Sequence, residues 1–356
     1  MKVFNFYAGP AILPQEVIKQ TADEILNFSG NGLSLMEISH RSKDFIAVMD
    51  EAVYLVKELL HLSEDYEVLF LSGGASSQFF MVPMNLLDEN STAAYLDTGT
   101  WAYKAIQEAR LFGNVDVVAS SKDQKYSFIP KDYSLIKDYR YFHITSNNTI
   151  YGTQMHHFPD SSIPLVGDMS SDIFSRTFDA SKFGIIYAGA QKNMGPAGTT
   201  LVIIRKDMLG KVKRNIPSML KYENHISNGS MYNTPPVLPV FVSMLTMRWI
   251  KAQGGVSSME TQNAGKAALL YNEIDNNELF YSPVNIEDRS NMNVCFLLKN
   301  NDQEKEFKEI CKNEHLVGLE GHRSVGGFRA SIYNAMDKDG VQKLVDIMKE
   351  FERTKG

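Results

Sequence analysis

Between residues 66 and 204 short apolar runs alternate with helix-length segments, and small or polar residues close each run. Residues 68–71 lead into Ser72-Gly73-Gly74-Ala75-Ser76-Ser77 and an apolar helix expected from Gln78. Residues 93–96 lead into Asp97-Thr98-Gly99-Thr100-Trp101 and a helix to about Leu111. Runs at 115–118, 141–144, 163–167, 185–190 and 199–204 continue the series. Strand-length runs that take turns with helices are the pattern of an α/β domain, a mostly parallel sheet wrapped by helices. Such sheets bind ligands outside the carboxyl ends of their strands. Ser72 to Ser77, Trp101, Thr149, Asp168 and Lys192 all fall at or just after run ends, so one crevice can collect them.

The chain has 356 residues, enough for one large domain and a smaller one, and its 44% hydrophobic and 22% charged residues are ordinary for a soluble globular protein. A net charge of −6 argues against nucleic acid as the partner. Cys295 and Cys311 are far apart, which fits neither a disulfide framework nor a zinc site and suits a reducing cytoplasm. No apolar run is long enough to span a membrane, and Gly9-Pro10 interrupts the first residues before a signal-peptide core could form.

Lys192 ends the run at 185–190, before Asn193-Met194-Gly195-Pro196-Ala197-Gly198, where Gly and Pro stop a strand. A lone lysine there is most simply a surface residue in a hairpin. Asp168 closes the run at 163–167, on the preceding strand, and changes that balance. A lysine and an aspartate on successive strand ends are what pyridoxal phosphate requires. The lysine amine binds its aldehyde, and the carboxylate keeps its ring nitrogen protonated. Ser72 to Ser77 joins a strand to a helix start, where free N–H groups favour an anion, so it is the expected seat of the cofactor phosphate. Trp101, one of two tryptophans, is placed to stack on a flat ring. No metal site is expected.

His-Arg occurs twice in Gly- and Ser-bearing loops, at His40-Arg41 and His322-Arg323, and Arg329 follows on an alternating segment at 328–333. Arginine grips carboxylates and phosphates through paired hydrogen bonds, although three surface arginines are an equally good reading of these residues alone. The stripe Phe45, Val48, Met49, Ala52, Val53, Val56, Leu59 and Leu60 recurs at helical spacing and belongs to the core. His156-His157 lacks ligand partners at useful spacing and is expected to be exposed. Gly254-Gly255 marks a candidate break. It divides the chain into a large domain, 15–254, and a small α+β domain, 255–356, against which an N-terminal arm, 1–14, packs. A connecting helix is expected at 259–276, a strand at 293–298 and helices at 303–315 and 341–351.

Five segments together resemble one family. Tyr-Ala-Gly-Pro-Ala at 7–11, Met-Glu-Ile-Ser-His-Arg at 36–41 and Tyr-Ala-Gly-Ala-Gln-Lys-Asn-Met-Gly-Pro-Ala-Gly at 187–198 are similar to the phosphoserine aminotransferase family. So are Asn-Thr-Pro-Pro at 233–236 and Gly-His-Arg-Ser-Val-Gly-Gly-Phe-Arg-Ala-Ser-Ile-Tyr-Asn at 321–334. The resemblance implies a fold-type I pyridoxal-phosphate transferase, class V, with a seven-stranded-type sheet, acting as a homodimer with each active site at the subunit interface. It implies Lys192 as the Schiff-base lysine, Asp168 at the ring nitrogen, Trp101 stacked on the ring and Thr149 at its phenolic oxygen. Ala75, Ser76 and Gln191 would hold the cofactor phosphate, with Asn233 and Thr234 reaching it from the other subunit. Arg329 would take the substrate α-carboxylate, and His322 and Arg323, with His40 and Arg41 of the other subunit, its phosphate. One departure stands at Ala75-Ser76-Ser77, where the family usually has more glycine and often a basic residue. The implied reaction interconverts phosphoserine plus 2-oxoglutarate with 3-phosphohydroxypyruvate plus glutamate, in serine biosynthesis, with 4-phosphohydroxythreonine as a second substrate. The competing readings are a serine–glyoxylate-type transaminase, a sulfur-removing lyase, or a non-catalytic phosphate-binding module. None of these needs two His-Arg pairs, a lyase would want a reactive loop cysteine, and a simple module leaves Lys192 and Asp168 unexplained.

Overall fold

The apolar runs become seven strands of one sheet in a computed structural model that describes residues 2–356. They are β1 (Tyr66–Leu71), β2 (Thr92–Asp97), β3 (Asn114–Ser120), β4 (Tyr139–Thr145), β5 (Leu165–Asp168), β6 (Phe183–Gly189) and β7 (Thr200–Arg205). Across the sheet the order is β1-β7-β6-β5-β4-β2-β3. Only β7 runs against its neighbours, pairing antiparallel with β1 and β6, and the pairs from β6 through β3 are parallel. The mostly parallel α/β sheet expected from the sequence is therefore what forms.

Alternate residues of the central strands enter different cores. Ile186, Ala188, Leu201 and Ile203 face one apolar layer, and Ile185, Tyr187, Val202 and Ile204 face the other. A sheet covered on both faces explains why its strands read as unbroken apolar runs. Each fully buried Ile or Leu contributes about 1.5–3 kcal/mol. The helix Lys43–Leu59 supplies Phe45, Val48, Met49, Ala52, Val56 and Leu59 to the first layer, with Val53 only packed against its rim.

One helix starts earlier than its sequence suggests. Gly74–Leu86 begins four residues before Gln78. Gly73 has φ +103°, where a Cβ would come within 2.0 Å of Ser77 Oγ, and that hydroxyl donates to the Gly73 carbonyl at 2.8 Å. A glycine in left-handed conformation turns the chain directly out of β1 into the helix.

A third apolar core gathers Phe4 and Phe6 with Leu270, Phe296, Phe328, Leu344 and Phe351. It packs on a three-stranded antiparallel sheet of Phe280–Tyr281, Asn293–Leu298 and Phe328–Ser331. Phe4–Asn5 pairs in parallel with Leu316–Val317. The helix Gly255–Asn276 serves two cores: Val256 and Met259 belong to the first layer, Leu270 and Ile274 to the third core. Its buried Lys266 donates to the carbonyls of Ile332, Tyr333 and Met336 at 3.0, 2.7 and 3.1 Å, fixing the segment that follows the Arg329 strand. Among the described residues no helix is long and apolar enough to cross a membrane.

Candidate active site

Asp168 is the last residue of β5, buried to 5% exposure. Its Oδ1 accepts from the Ser170 N–H at 3.0 Å and the Ser170 hydroxyl at 2.6 Å. Ser170 Oγ in turn accepts from the Gly189 N–H at 3.2 Å, tying the carboxylate to the end of β6. Among the described residues no hydrogen bond reaches Oδ2. Burial raises the Asp168 carboxyl above its ordinary value, and the nearby Lys192 charge and Ser170 oppose that rise.

Lys192 stands three residues past the end of β6, in a turn closed by the Met194 and Gly195 N–H groups on the Ala190 carbonyl. Its side chain is half-buried, and its Nζ donates to Thr149 Oγ1 at 2.6 Å. The Thr149 carbonyl accepts from Arg329 Nη1 at 3.2 Å, so one threonine joins the lysine to the arginine of the small sheet. The Lys192 ammonium lies 5.7 Å from the centre of the Trp101 ring. Burial pushes its pKa down from 10.5 to about 8; Asp168 opposes this and Arg329 adds to it. Two buried donors at this place, Trp101 Nε1 and Arg329 Nε, have no partner. Buried donors are usually paired, so both are free to serve a group bound beside Lys192.

The N-terminal arm runs across the same turn. The Ala11 N–H donates to the Gln191 carbonyl at 2.9 Å, and Tyr333 Oη donates to the Ala8 carbonyl at 2.8 Å. Ala75 is half-buried and Ser76 exposed in the first turn of Gly74–Leu86. His322, half-buried, pairs Nδ1 with Ser324 Oγ at 2.7 Å, and Arg323 is exposed beside it. Burial lowers the His322 pKa, with Arg329, Arg323 and Lys104 lowering it further.

Four of the expected residues stand apart within this chain. The Arg41 guanidinium donates to His40 Nε2 at 3.4 Å and the Arg41 N–H to Ser39 Oγ at 3.2 Å, while Asn233 Nδ2 donates to the Thr234 carbonyl at 3.2 Å; among the described residues none of these bonds leads to Lys192 or Asp168. Thr234, like Arg41 and Asn233, is exposed. Other residues were missed. Ser170 orients Asp168, and Asn193 Oδ1 accepts from the Asn334 N–H at 2.9 Å while Asn334 Nδ2 donates to Phe174 O at 2.9 Å, clipping the Lys192 turn to the small sheet. Serine after aspartate and an asparagine in each segment were the only traces of this in sequence. The expected exposure of His156-His157 holds only for His157. His156 is half-buried, with Nε2 2.9 Å from the Arg289 carbonyl. Cys295 and Cys311 are both buried and free. A 730 Å³ hollow beside the helix Glu304–Asn313 contains none of the expected site residues. Among the described residues no group of three His, Cys, Asp or Glu is placed to hold a metal ion.

The family profile described as Aminotransferase class-V matches residues 3–344. The chain belongs to that family. It is 60% identical to a phosphoserine aminotransferase of Flavobacterium psychrophilum, over 99% of both chains, and 59% identical to that of Parabacteroides distasonis, again over 99% of both. Its structure resembles the phosphoserine aminotransferase of Bacillus circulans subsp. alkalophilus with TM-score 0.97 and 45% identity, covering 100% of this chain and 99% of that one. A PLP-bound phosphoserine aminotransferase from Trichomonas vaginalis superposes with TM-score 0.94 and 38% identity, over 98% of this chain and all of the other.

Proposed function

We propose that the chain is a pyridoxal-phosphate transaminase that exchanges the amino group between phosphoserine and 2-oxoglutarate. The observation that carries this reading is the hydrogen-bonded series Lys192–Thr149–Arg329 beside the buried Asp168. The relatives named phosphoserine aminotransferase, matched from end to end, support the substrate.

The residues present fit the cofactor. Among the described residues Asp168 has an oxygen left without a hydrogen bond, the Trp101 ring lies 5.7 Å from the Lys192 ammonium, and Trp101 and Arg329 each keep a buried donor unpaired. Asp168 would hold the ring nitrogen, Trp101 the ring face, and Thr149 the phenolic oxygen. Ala75, Ser76 and Gln191 would hold the phosphate, with the partner subunit's Asn233 and Thr234. Bound there, pyridoxal phosphate supplies an electron-accepting ring that lets an amino acid lose its α-hydrogen as a proton.

The chain's own residues do the rest. With a pKa near 8, Lys192 is far more often neutral at physiological pH than a solvated lysine, so its Nζ serves as the base for the α-proton. Desolvation of Asp168 strengthens its pull on a positive partner. Arg329, tied to Thr149, sets the substrate α-carboxylate at a fixed distance from that base. His322 and Arg323 take the distal phosphate, completed by the partner subunit's His40 and Arg41.

The exposure of Arg41 and Asn233-Thr234, beside a half-buried His40 and exposed Leu33, Met36 and Tyr232, supports a homodimer with sites at the interface. Sedimentation of the holoprotein at single-chain mass would remove that element. The same reading divides the chain at about residue 254 and places it in the cytoplasm, in keeping with two reduced, buried cysteines. The test of function is an amino-donor screen on purified holoprotein, following the cofactor absorbance. Phosphoserine and glutamate are expected to convert the cofactor to its amine form, and serine and alanine are not. Equal conversion by serine and phosphoserine would refute the phosphate assignment.

A further inference from the structure

Lys104 lies one helical turn after Trp101 on the helix Thr100–Ala109, and so on the same face. Its ammonium lies 4.8 Å from the centre of the Trp101 ring, the same ring that has the Lys192 ammonium at 5.7 Å. Glu108, at i+4, offers Lys104 a carboxylate on its own helix, yet the amine goes to the indole. Contact with an aromatic face attracts an exposed cation and biases the side chain toward the site.

The charge around it has no counterpart. Among the described residues none of Lys104, His322, Arg323 and Arg329 has a carboxylate within 4.0 Å. Elsewhere on this acidic chain lysine and arginine are often paired, as in Arg289–Asp275 at 2.6 Å and Lys251–Glu58 at 2.7 Å. Lys104 also adds to the field that holds down the His322 pKa, so its charge is felt where the expected phosphate grip begins. An unneutralised cationic rim over a desolvated floor concentrates anions.

We propose that Lys104 is a specificity-determining residue of this site, a further positive partner for the distal anionic group of the amino-acid substrate. The proposal rests on the transaminase reading above and adds a residue to it. Lys104 acts at the rim, raising the local concentration of a phosphorylated substrate and holding its dianion against His322 and Arg323. A lysine that merely solvates its helix would do neither.

Calorimetric titration of the holoprotein with inorganic phosphate, the cofactor's own phosphate site being filled, tests this without turnover. Lys104→Gln is expected to weaken binding about two- to fivefold at low salt, the scale of one exposed charge pair. Lys104→Arg is expected to restore the parent affinity, and high salt to erase the difference. In turnover, the KM for phosphoserine should rise by the same factor while kcat holds. Arg323→Ala is the reference arm. If Arg323→Ala loses phosphate binding while Lys104→Gln binds as the parent does, the Lys104 proposal is overturned and the phosphate reading stands. If both variants bind phosphate like the parent, both fall.

Discussion

The floor of the site and its rim are built by different means. Asp168, Thr149 and Lys192 stand at strand ends or in a turn closed on a strand, and each has a partner within 3.0 Å. His322, Arg323, His40 and Arg41 sit in loops, and Arg323 and Arg41 are exposed. The floor is fixed by side-chain hydrogen bonds made where the sheet's strands end. The rim's hydrogen bonds stay within its own loops, as His322 with Ser324 and Arg41 with His40 and Ser39, and among the described residues none of its four basic side chains has a carboxylate within 4.0 Å. Chemistry common to every amino acid is thus lodged in rigid parts, and recognition of one substrate's distal group in parts that depend on what they bind.

If the floor alone performs the proton transfer, removing its base should have the largest effect. Lys192→Ala is expected to slow transamination by about 10⁴-fold, the upper range for a positioned base, with the melting temperature close to the parent's. Single-turnover absorbance and thermal scans check both, and a turnover near the parent's would break the division. Asp168→Asn keeps shape and loses charge. It is expected to slow the proton-transfer step by roughly 10²–10³-fold, comparable to the loss of one preorganised electrostatic partner. Cofactor retention measured beside it separates slow chemistry from poor binding.

A rim substitution should show selectivity instead. Arg323→Ala is expected to weaken the phosphoserine half-reaction by about 1.5–3 kcal/mol and to leave glutamate much less affected, the scale of a charged hydrogen bond. Arg329→Ala should damage both half-reactions. Stopped-flow measurement with each donor decides, and equal losses for Arg323→Ala would merge rim and floor. The smallest effect is a titration. The folded pKa of Lys192, lowered to about 8, means that its neutral fraction rises as pH passes through 8, well before that of solvated lysines near 10.5. In cofactor-free protein, acylation of Lys192 followed by mass spectrometry should level off above about pH 9 while other lysines keep gaining. A Lys192 profile that climbs with the rest would mean that its amine is solvated.

The floor was legible in the sequence because apolar runs mark strands and the residues that end them mark strand tips. The start of Gly74–Leu86 is not legible in the sequence, because Gly73 and Gly74, both at positive φ, turn the chain inside Ser72 to Ser77. Ser170, Asn193 and Asn334 are not legible either, because a polar side chain does not reveal its partner until the fold brings the two together, 141 residues apart in the last case. His156 was misjudged for a similar reason: the carbonyl that satisfies it belongs to Arg289, 133 residues away. The rim was legible only through family resemblance, as its residues alone read equally well as surface arginines.

The parallel pairing of Phe4–Asn5 with Leu316–Val317 has a consequence for biosynthesis. A ribosome adds roughly 5–20 residues per second, so the first strand waits roughly 15–60 s for its mate to be translated. Until then the segment that crosses the Lys192 turn has nothing to anchor its outer end. A nascent chain can form the sheet and the Ala11–Gln191 bond, but it cannot fasten the arm's outer end, and chains truncated before residue 316 should emerge folded in part and catalytically silent.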